Sequence, residues 1–360
     1  MKLEKIARSL RGHGEVFEPV LYVESTDGGF AWSAREGAEG ASYYAASITK
    51  TFTAAAIMLL REQGRLRLDD PILNYLEAER LAGIHVYRGR DYLKELRVHH
   101  LLSQTSGLAD YFEGKTTAGE SLLTELAGGT DRTWDLEDVL EMVRAGMKPN
   151  FPPDDAPALE MKKARAAYSD TNYQLLGAIL KNVMGKNLGG VFAELIFDPL
   201  ELSDTWVFGD DHRAGQRAEP AALYHGKAQI KIPGAMASFG ADGAIVSTAR
   251  EQIKFLRGFM DAEPVTGRGL FKNGETLNLM KRWNRIFFPL EYGYGLMRFK
   301  LPRVFSPFKA VPEFIGHSGA SGSFLFHCPE REILIAGTVN QLRAPSLPFR
   351  LLPRIAAAFG

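Results

Sequence analysis

The chain has 360 residues, with 43 Lys plus Arg against 43 Asp plus Glu, and 45% of its side chains are apolar. That length and apolar fraction describe a folded protein with an ample core and room for two structural units. A formal charge of zero argues against the basic surface that non-specific nucleic-acid binding needs to displace counterions.

The longest purely apolar run, residues 54–60, falls far short of the roughly 20 residues that cross a bilayer. The N-terminal stretch Met1-Lys2-Leu3-Glu4-Lys5 carries charges where a signal peptide would hold its apolar segment. One cysteine, Cys328, forms no internal disulfide, so nothing requires an oxidising compartment. The expected address is cytoplasmic, or periplasmic or secreted for a chain already trimmed of a leader.

In chain order, the first residues read as a charged amphipathic helix ending at Gly12 or Gly14. Strand-like runs follow at 20–25 and 30–33, separated by the turn residues Asp27-Gly28-Gly29. From about residue 47 to 256 the pattern is mostly helical with long loops. Strands return at 292–300, 314–317, 323–327 and 333–339, and a last helix covers 347–359. Strands at both ends with helices between predict an α+β fold: one antiparallel sheet built from both termini, flanked by helices. The expected division is residues 1–46 with 240–360 for the sheet unit and 47–239 for an inserted, mostly helical unit.

The sharpest local feature is Ser47-Ile48-Thr49-Lys50, opening a run that is apolar nearly all round and stops at Gly64. Such a run marks a buried helix. Ser47 and Lys50 then share a face, near free N–H groups and positive potential that favour developing negative charge. A serine there with a lysine one turn on can be a nucleophile and its activator, or merely a cap and a solvated cation. Burial of Lys50 at the entrance of an apolar helix predicts a lowered pKa. The spacing alone carries little, because Ser306-Pro307-Phe308-Lys309 repeats it in a Pro-rich stretch.

Two further elements bear on the choice. Tyr168-Ser169-Asp170 precedes a helical run that ends at Gly185; Ser169 or Asp170 could simply cap it. Gly316-His317-Ser318-Gly319-Ala320 lies at a probable strand end, where glycines allow another chain to approach closely.

These three elements in this order resemble the serine β-lactamase and penicillin-binding-protein superfamily, in its class C branch with the DD-peptidase and family VIII esterase relatives. The family pattern is Ser-x-x-Lys, Tyr-x-Asn, then Lys-Thr-Gly or a His-x-Gly variant. Leu101-Leu102-Ser103-Gln104-Thr105-Ser106-Gly107-Leu108 is close to another family segment, as is Ala241-Asp242-Gly243-Ala244-Ile245, where Thr248 and Glu251 are spaced as a capping box. The resemblance spans about residues 40–340. It implies a β-lactamase/transpeptidase-like fold, no cofactor and no metal, an acyl-enzyme at Ser47, proton shuttling by Lys50 and Tyr168, and an oxyanion hole from the N–H groups of Ser47 and Ala320. Asp170, His317, Ser318 and Gly319 would line the substrate site.

Two departures shift the expected chemistry. Asp170 stands where the family has asparagine, and a carboxylate beside Lys50 favours its charged form. That leaves more of the proton transfer to Tyr168, whose phenol an adjacent ammonium acidifies. His317 replaces a lysine that holds a substrate carboxylate, and an ordinary histidine is charged only below about pH 6.5. Both changes favour a carboxylesterase-like enzyme acting on a small uncharged ester. D-amino-acid peptide or amide cleavage comes second and β-lactam turnover third; a slowly deacylating penicillin-binding module is the non-turnover reading.

Other hydrolase classes fit less well. An α/β-hydrolase elbow at Ser318 lacks the downstream acid and histidine in order, and the eight histidines show no His-Glu-x-x-His. The aromatic stretches 282–290 and 301–314 are read either as core or as an apolar wall beside the site.

Overall fold

The structure is a computed structural model that describes residues 2–35, 37–115, 119–160, 163–210, 219–261, 269–305 and 310–359. The second Ser-x-x-Lys, residues 306–309, lies outside these. Eight strands form the main sheet: β1 Val20–Ser25, β2 Ala31–Ser33, β3 Asn284–Phe287, β4 Leu290–Tyr292, β5 Met297–Phe299, β6 Phe314–Ser318, β7 Ser323–Cys328 and β8 Ile333–Thr338. Their order across the sheet is β3-β4-β5-β6-β7-β8-β1-β2, antiparallel throughout. The sheet is thus built from both ends of the chain, joined where β1 pairs with β8.

Alternation along β7 sorts the flanking helices. Phe326 meets Phe349 of the C-terminal helix, Leu347–Ala356, whereas Ser323 Oγ donates to Ala45 O on the other face (2.6 Å). Side chains one residue out of phase point to opposite faces, so the terminal helices cover one face. The helix Lys2–Arg11 packs on Leu347–Ala356, with Lys2 Nζ donating to Ala357 O. The second face receives the helix Ala249–Met260 and, beyond it, α1, defined here as Thr49–Glu62. Phe52 and Phe255 stack between these two at 3.6 Å. Every α1 residue from Thr49 to Leu60 is buried, as the all-round apolar pattern requires. A second helix, α2, spans Asp170–Met184 and ends on Gly185 at φ 64°, a left-handed terminus that glycine adopts freely.

Three details depart from the sequence reading. Short strands Ser42–Tyr44, Trp206–Val207 and Ile245–Thr248 form a small sheet; elements of two to four residues leave no periodic trace. The expected strand at 292–300 is broken between Tyr292 and Met297, where the chain crosses the start of α1. A Cβ on Gly295 (φ 68°) would lie 2.2 Å from Ala54 Cβ and 2.9 Å from Lys50 O. Gly295→Ala should therefore cost about 2 kcal/mol or more through overpacking and backbone strain, read as a lowered urea midpoint. The capping box is half formed: Thr248 Oγ1 accepts from Glu251 N–H, but the Glu251 carboxylate accepts from Asp204 N–H and Thr205 Oγ1 instead.

Strand register also locates the aromatic stretches. Gly316, Met297, Tyr292 and Asn284 form one row across β6 to β3, and Phe314, Phe299, Leu290 and Phe287 form the row at the other end. Ser318 lies beyond the first row, so Phe287 and Phe288 sit at the opposite end of the strands from it. They neither wall the site nor join the core, being among the most exposed large apolar side chains.

Candidate active site

Ser47 lies in a single 3-10 turn, Ala46–Ile48, that feeds directly into α1. Ala46 before it has φ 48°, a left-handed conformation that a non-glycine residue holds only under constraint from its surroundings. Lys50, one turn along and fully buried, donates from Nζ to Ser47 Oγ (3.1 Å) and to Asp242 O (2.8 Å), and forms an ion pair with Asp170. Asp170 is the first residue of α2, where its carboxylate also faces the positive helix end. Ser169 does not cap that helix through its side chain; its hydroxyl donates to Ala109 O.

Tyr168 packs between these groups and β6. Its ring is 5.7 Å from that of Tyr292 and 6.4 Å from that of His317, and Lys50 Nζ lies 5.3 Å from its centroid. Its hydroxyl is buried without a hydrogen bond of regular geometry, with Ser47 and Lys50 as polar neighbours. Ser47, Lys50, Tyr168, Asp170 and His317 therefore converge on one locus between α1, α2 and β6. Ser47, Asp170 and Ala320 line a narrow cleft of about 50 Å3 with Phe112, Leu126 and Met236.

Packing reverses two expected pKa shifts, one through neighbouring charge and one through burial. Desolvation opposes the Lys50 charge, but Asp170, Tyr168 and Asp242 together outweigh it, and the pKa is raised. Burial likewise raises the Tyr168 phenol, and the neighbouring ammonium only partly offsets this. Neither group is a ready base at rest.

His317 is equally changed. Burial, helped by the Lys50 charge, pushes its pKa down to about 3. As a neutral ring it donates from Nδ1 to Ser318 O (2.7 Å), so Nε2 accepts from the Tyr292 hydroxyl (3.2 Å). It is no cation for a substrate carboxylate. We expect kcat/KM to show no inflection near pH 6.5 from this residue, and His317→Gln to leave the pH profile unaltered. The unfolded chain takes up this proton near pH 6.5 and the folded one only near pH 3. His317 therefore removes stability as pH falls between these values, by up to about 1.4 kcal/mol per pH unit, measurable by denaturant titration of both proteins.

The rest of the β6 end is arranged by backbone. Ser318 Oγ contacts Met297 Sδ on the face away from His317. Gly319 donates its N–H to Ser323 O (2.9 Å), and a Cβ there would lie within 2.8 Å of Ala45 O and Ala46 Cβ. Only glycine lets this strand end close on the Ser47 turn. The Ala320 N–H has no acceptor among the described residues.

Four contributors escaped the sequence reading. Asp110 Oδ1 accepts from the N–H groups of Asp170 and Phe112. Asp242 Oδ2 accepts from Tyr111 and Gln174, while its Oδ1 is buried without a partner. Burial raises the pKa of both acids, and the Asp170 charge adds to it. Gln104, in the left-handed region at φ 61°, grips both sides of Tyr168. Its carbonyl accepts from Ala167 N–H and its Oε1 from Ser169 N–H, each at 2.9 Å. Gln104→Ala should lower kcat about tenfold with KM little changed, as steady-state kinetics would show. Tyr292 completes the set beneath His317. Only its partners in space mark it out.

The profile of the β-lactamase family matches residues 23–358. The chain belongs to the β-lactamase family. This is a family of serine hydrolases, and the β-lactamase/transpeptidase-like fold agrees with solved structures. The D-stereospecific amidohydrolase from Streptomyces sp. is 24% identical with a TM-score of 0.69, covering 99% of this chain and 98% of that one. EstCE1, a hydrolase with promiscuous acyltransferase activity, is 18% identical with a TM-score of 0.72, covering 100% and 98%. Penicillin-binding protein 4 of Amycolatopsis lactamdurans is 23% identical over 320 residues, 83% of this chain and 72% of that relative. Further curated relatives are spanned over only 32% or 27% of their own length. Among the described residues of this β-lactamase-family chain, no helix is long and apolar enough to cross a membrane.

Proposed function

We propose that this serine hydrolase cleaves small uncharged esters with an apolar acyl group through an acyl-enzyme at Ser47. Lys50, held charged, donates to Ser47 Oγ and steadies the alkoxide that develops on attack. Because Lys50 and Tyr168 both resist losing a proton beforehand, the transfer is concerted. The Ser47 proton moves to Tyr168 Oη while the Tyr168 proton moves to the leaving-group oxygen. The N–H groups of Ser47 and Ala320 serve as the oxyanion hole, each worth on the order of 3 kcal/mol in the transition state. Water then reverses the sequence and frees the acid.

The observation that carries this choice is the lining of the cleft. Apolar side chains from Phe112 to Leu342 surround Ser47, and the charged side chains among the lining residues are the carboxyls of Asp170 and Asp242. With His317 neutral and Lys50 occupied by Asp170, a substrate carboxylate meets no free cation among the described lining residues. A second reading, hydrolysis of amides whose acyl part bears an ammonium, draws on the same two acids, which favour a cation. The neighbouring Streptomyces amidohydrolase and the D-amino acid amidase of Ochrobactrum anthropi, both of the same fold, make it the alternative to test.

A panel of a short-chain p-nitrophenyl ester, a D-amino-acid amide and a chromogenic cephalosporin separates these. The ester should show the highest kcat/KM. A cephalosporin rate well above it would overturn the proposal, a higher amide rate would select the second reading, and burst acylation without turnover would mark a binding module.

A further inference from the structure

Seven large apolar side chains stand out as exposed among the described residues, and four of them meet at one place. Phe287 (56% exposed) and Phe288 (54%) form the turn between β3 and β4, while Val304 (77%) and Phe305 (63%) follow β5 in the short turn Arg303–Phe305. The two loops touch through Phe288 and Phe305, whose rings are 5.0 Å apart. Antiparallel register brings them together at the end of the sheet remote from Ser318. The result is an exposed aromatic tip that packs on no core residue among the described ones.

Four cations lie on the adjoining segments: Arg285, two residues before Phe287 and opposite Glu291, Arg298 within β5, Lys300 just after it, and Arg303 beside Val304. The carboxylates of Glu291 and Glu313 pair with Arg298 and Lys300, and Glu330 accepts from the Glu313 N–H. Arg285 and Arg303 are exposed and have no carboxylate partner among the described residues. Aromatic side chains at headgroup depth, with guanidinium groups on adjoining segments, match an anionic lipid surface. A second copy of the chain fits less well, because a two-fold contact would bring the same unpaired arginines together.

We propose that this tip docks the enzyme on anionic phospholipid, with the catalytic cleft at the other end of the sheet facing away. The test is co-sedimentation of the full chain with vesicles of equal parts phosphatidylglycerol and phosphatidylcholine, beside pure phosphatidylcholine. Binding should require phosphatidylglycerol and weaken at about 500 mM salt. It should fall about tenfold or more in the triple variant F287S/F288S/F305S and in R285E/R303E, while ester turnover in solution is unchanged. Absence of phosphatidylglycerol-dependent sedimentation, or equal sedimentation of the triple variant, would overturn it. So would a triple variant that changes only the oligomeric state, which would assign the tip to self-association.

Discussion

Ser47→Ala will lower kcat/KM on any acyl substrate by about four orders of magnitude or more, with no loss of folded stability. The proposed nucleophile, Ser47 Oγ, sits 3.1 Å from Lys50 Nζ, and no neighbouring hydroxyl should take its place. Tyr168 is close, but burial raises its phenol and it is a poor nucleophile at neutral pH. Intact-mass spectrometry after treatment with a serine-reactive phosphonate gives the direct measurement: one adduct on the wild-type chain and none on the variant. An adduct that persists in Ser47→Ala would remove Ser47 from the mechanism.

Lys50→Met should cost both activity and stability, for one electrostatic reason. Lys50 is the cation beside two acids, Asp170 and Asp242, and Asp170 is its direct partner. Removing the ammonium strands a buried carboxylate, which typically costs about 3–5 kcal/mol. We expect turnover to fall about a thousandfold or more, with a much lower melting temperature at pH 7. If the stranded carboxylate is the cause, removing it together with Lys50 restores the fold. Lys50→Met combined with Asp170→Asn should recover most of the stability at pH 7 but none of the activity. Equal instability of the double variant at pH 7 would show that Lys50 acts by packing alone.

What could be read from the chain was whatever is written in local order. The strand Val20–Ser25, the buried helix that follows Ser47, and the glycine stops at Gly64 and Gly185 rest on spacing between near neighbours. The ordered motifs at Ser47, Tyr168 and His317 were legible for the same reason, and the fold brings them together. What was not legible depends on distant segments meeting. Gln104 and Asp110 share one loop and Asp242 comes from a distant turn, with no spacing that links them to the motifs, yet Asp242 bears on the charge of Lys50 and Gln104 on the seat of Tyr168. The Lys50 pKa required weighing burial against an ion pair, and only the packed structure shows that the ion pair prevails. Alternation told which side chains share a face of the sheet, but not which end of it Phe287 and Phe288 would occupy.

The seam between β1 and β8 has a consequence for how the protein comes into being. Val20 pairs with Thr338 and Ser25 with Ile333, so β1 meets its inner neighbour only after all the residues between them have been translated. Closure of so long a loop is slow, and until then β1 and β7 each present an unpaired, largely apolar edge. Chains halted before about residue 338 would carry these open edges permanently. Such fragments should aggregate rather than persist as smaller folded pieces, which makes the arrival of β8 the step that closes the sheet.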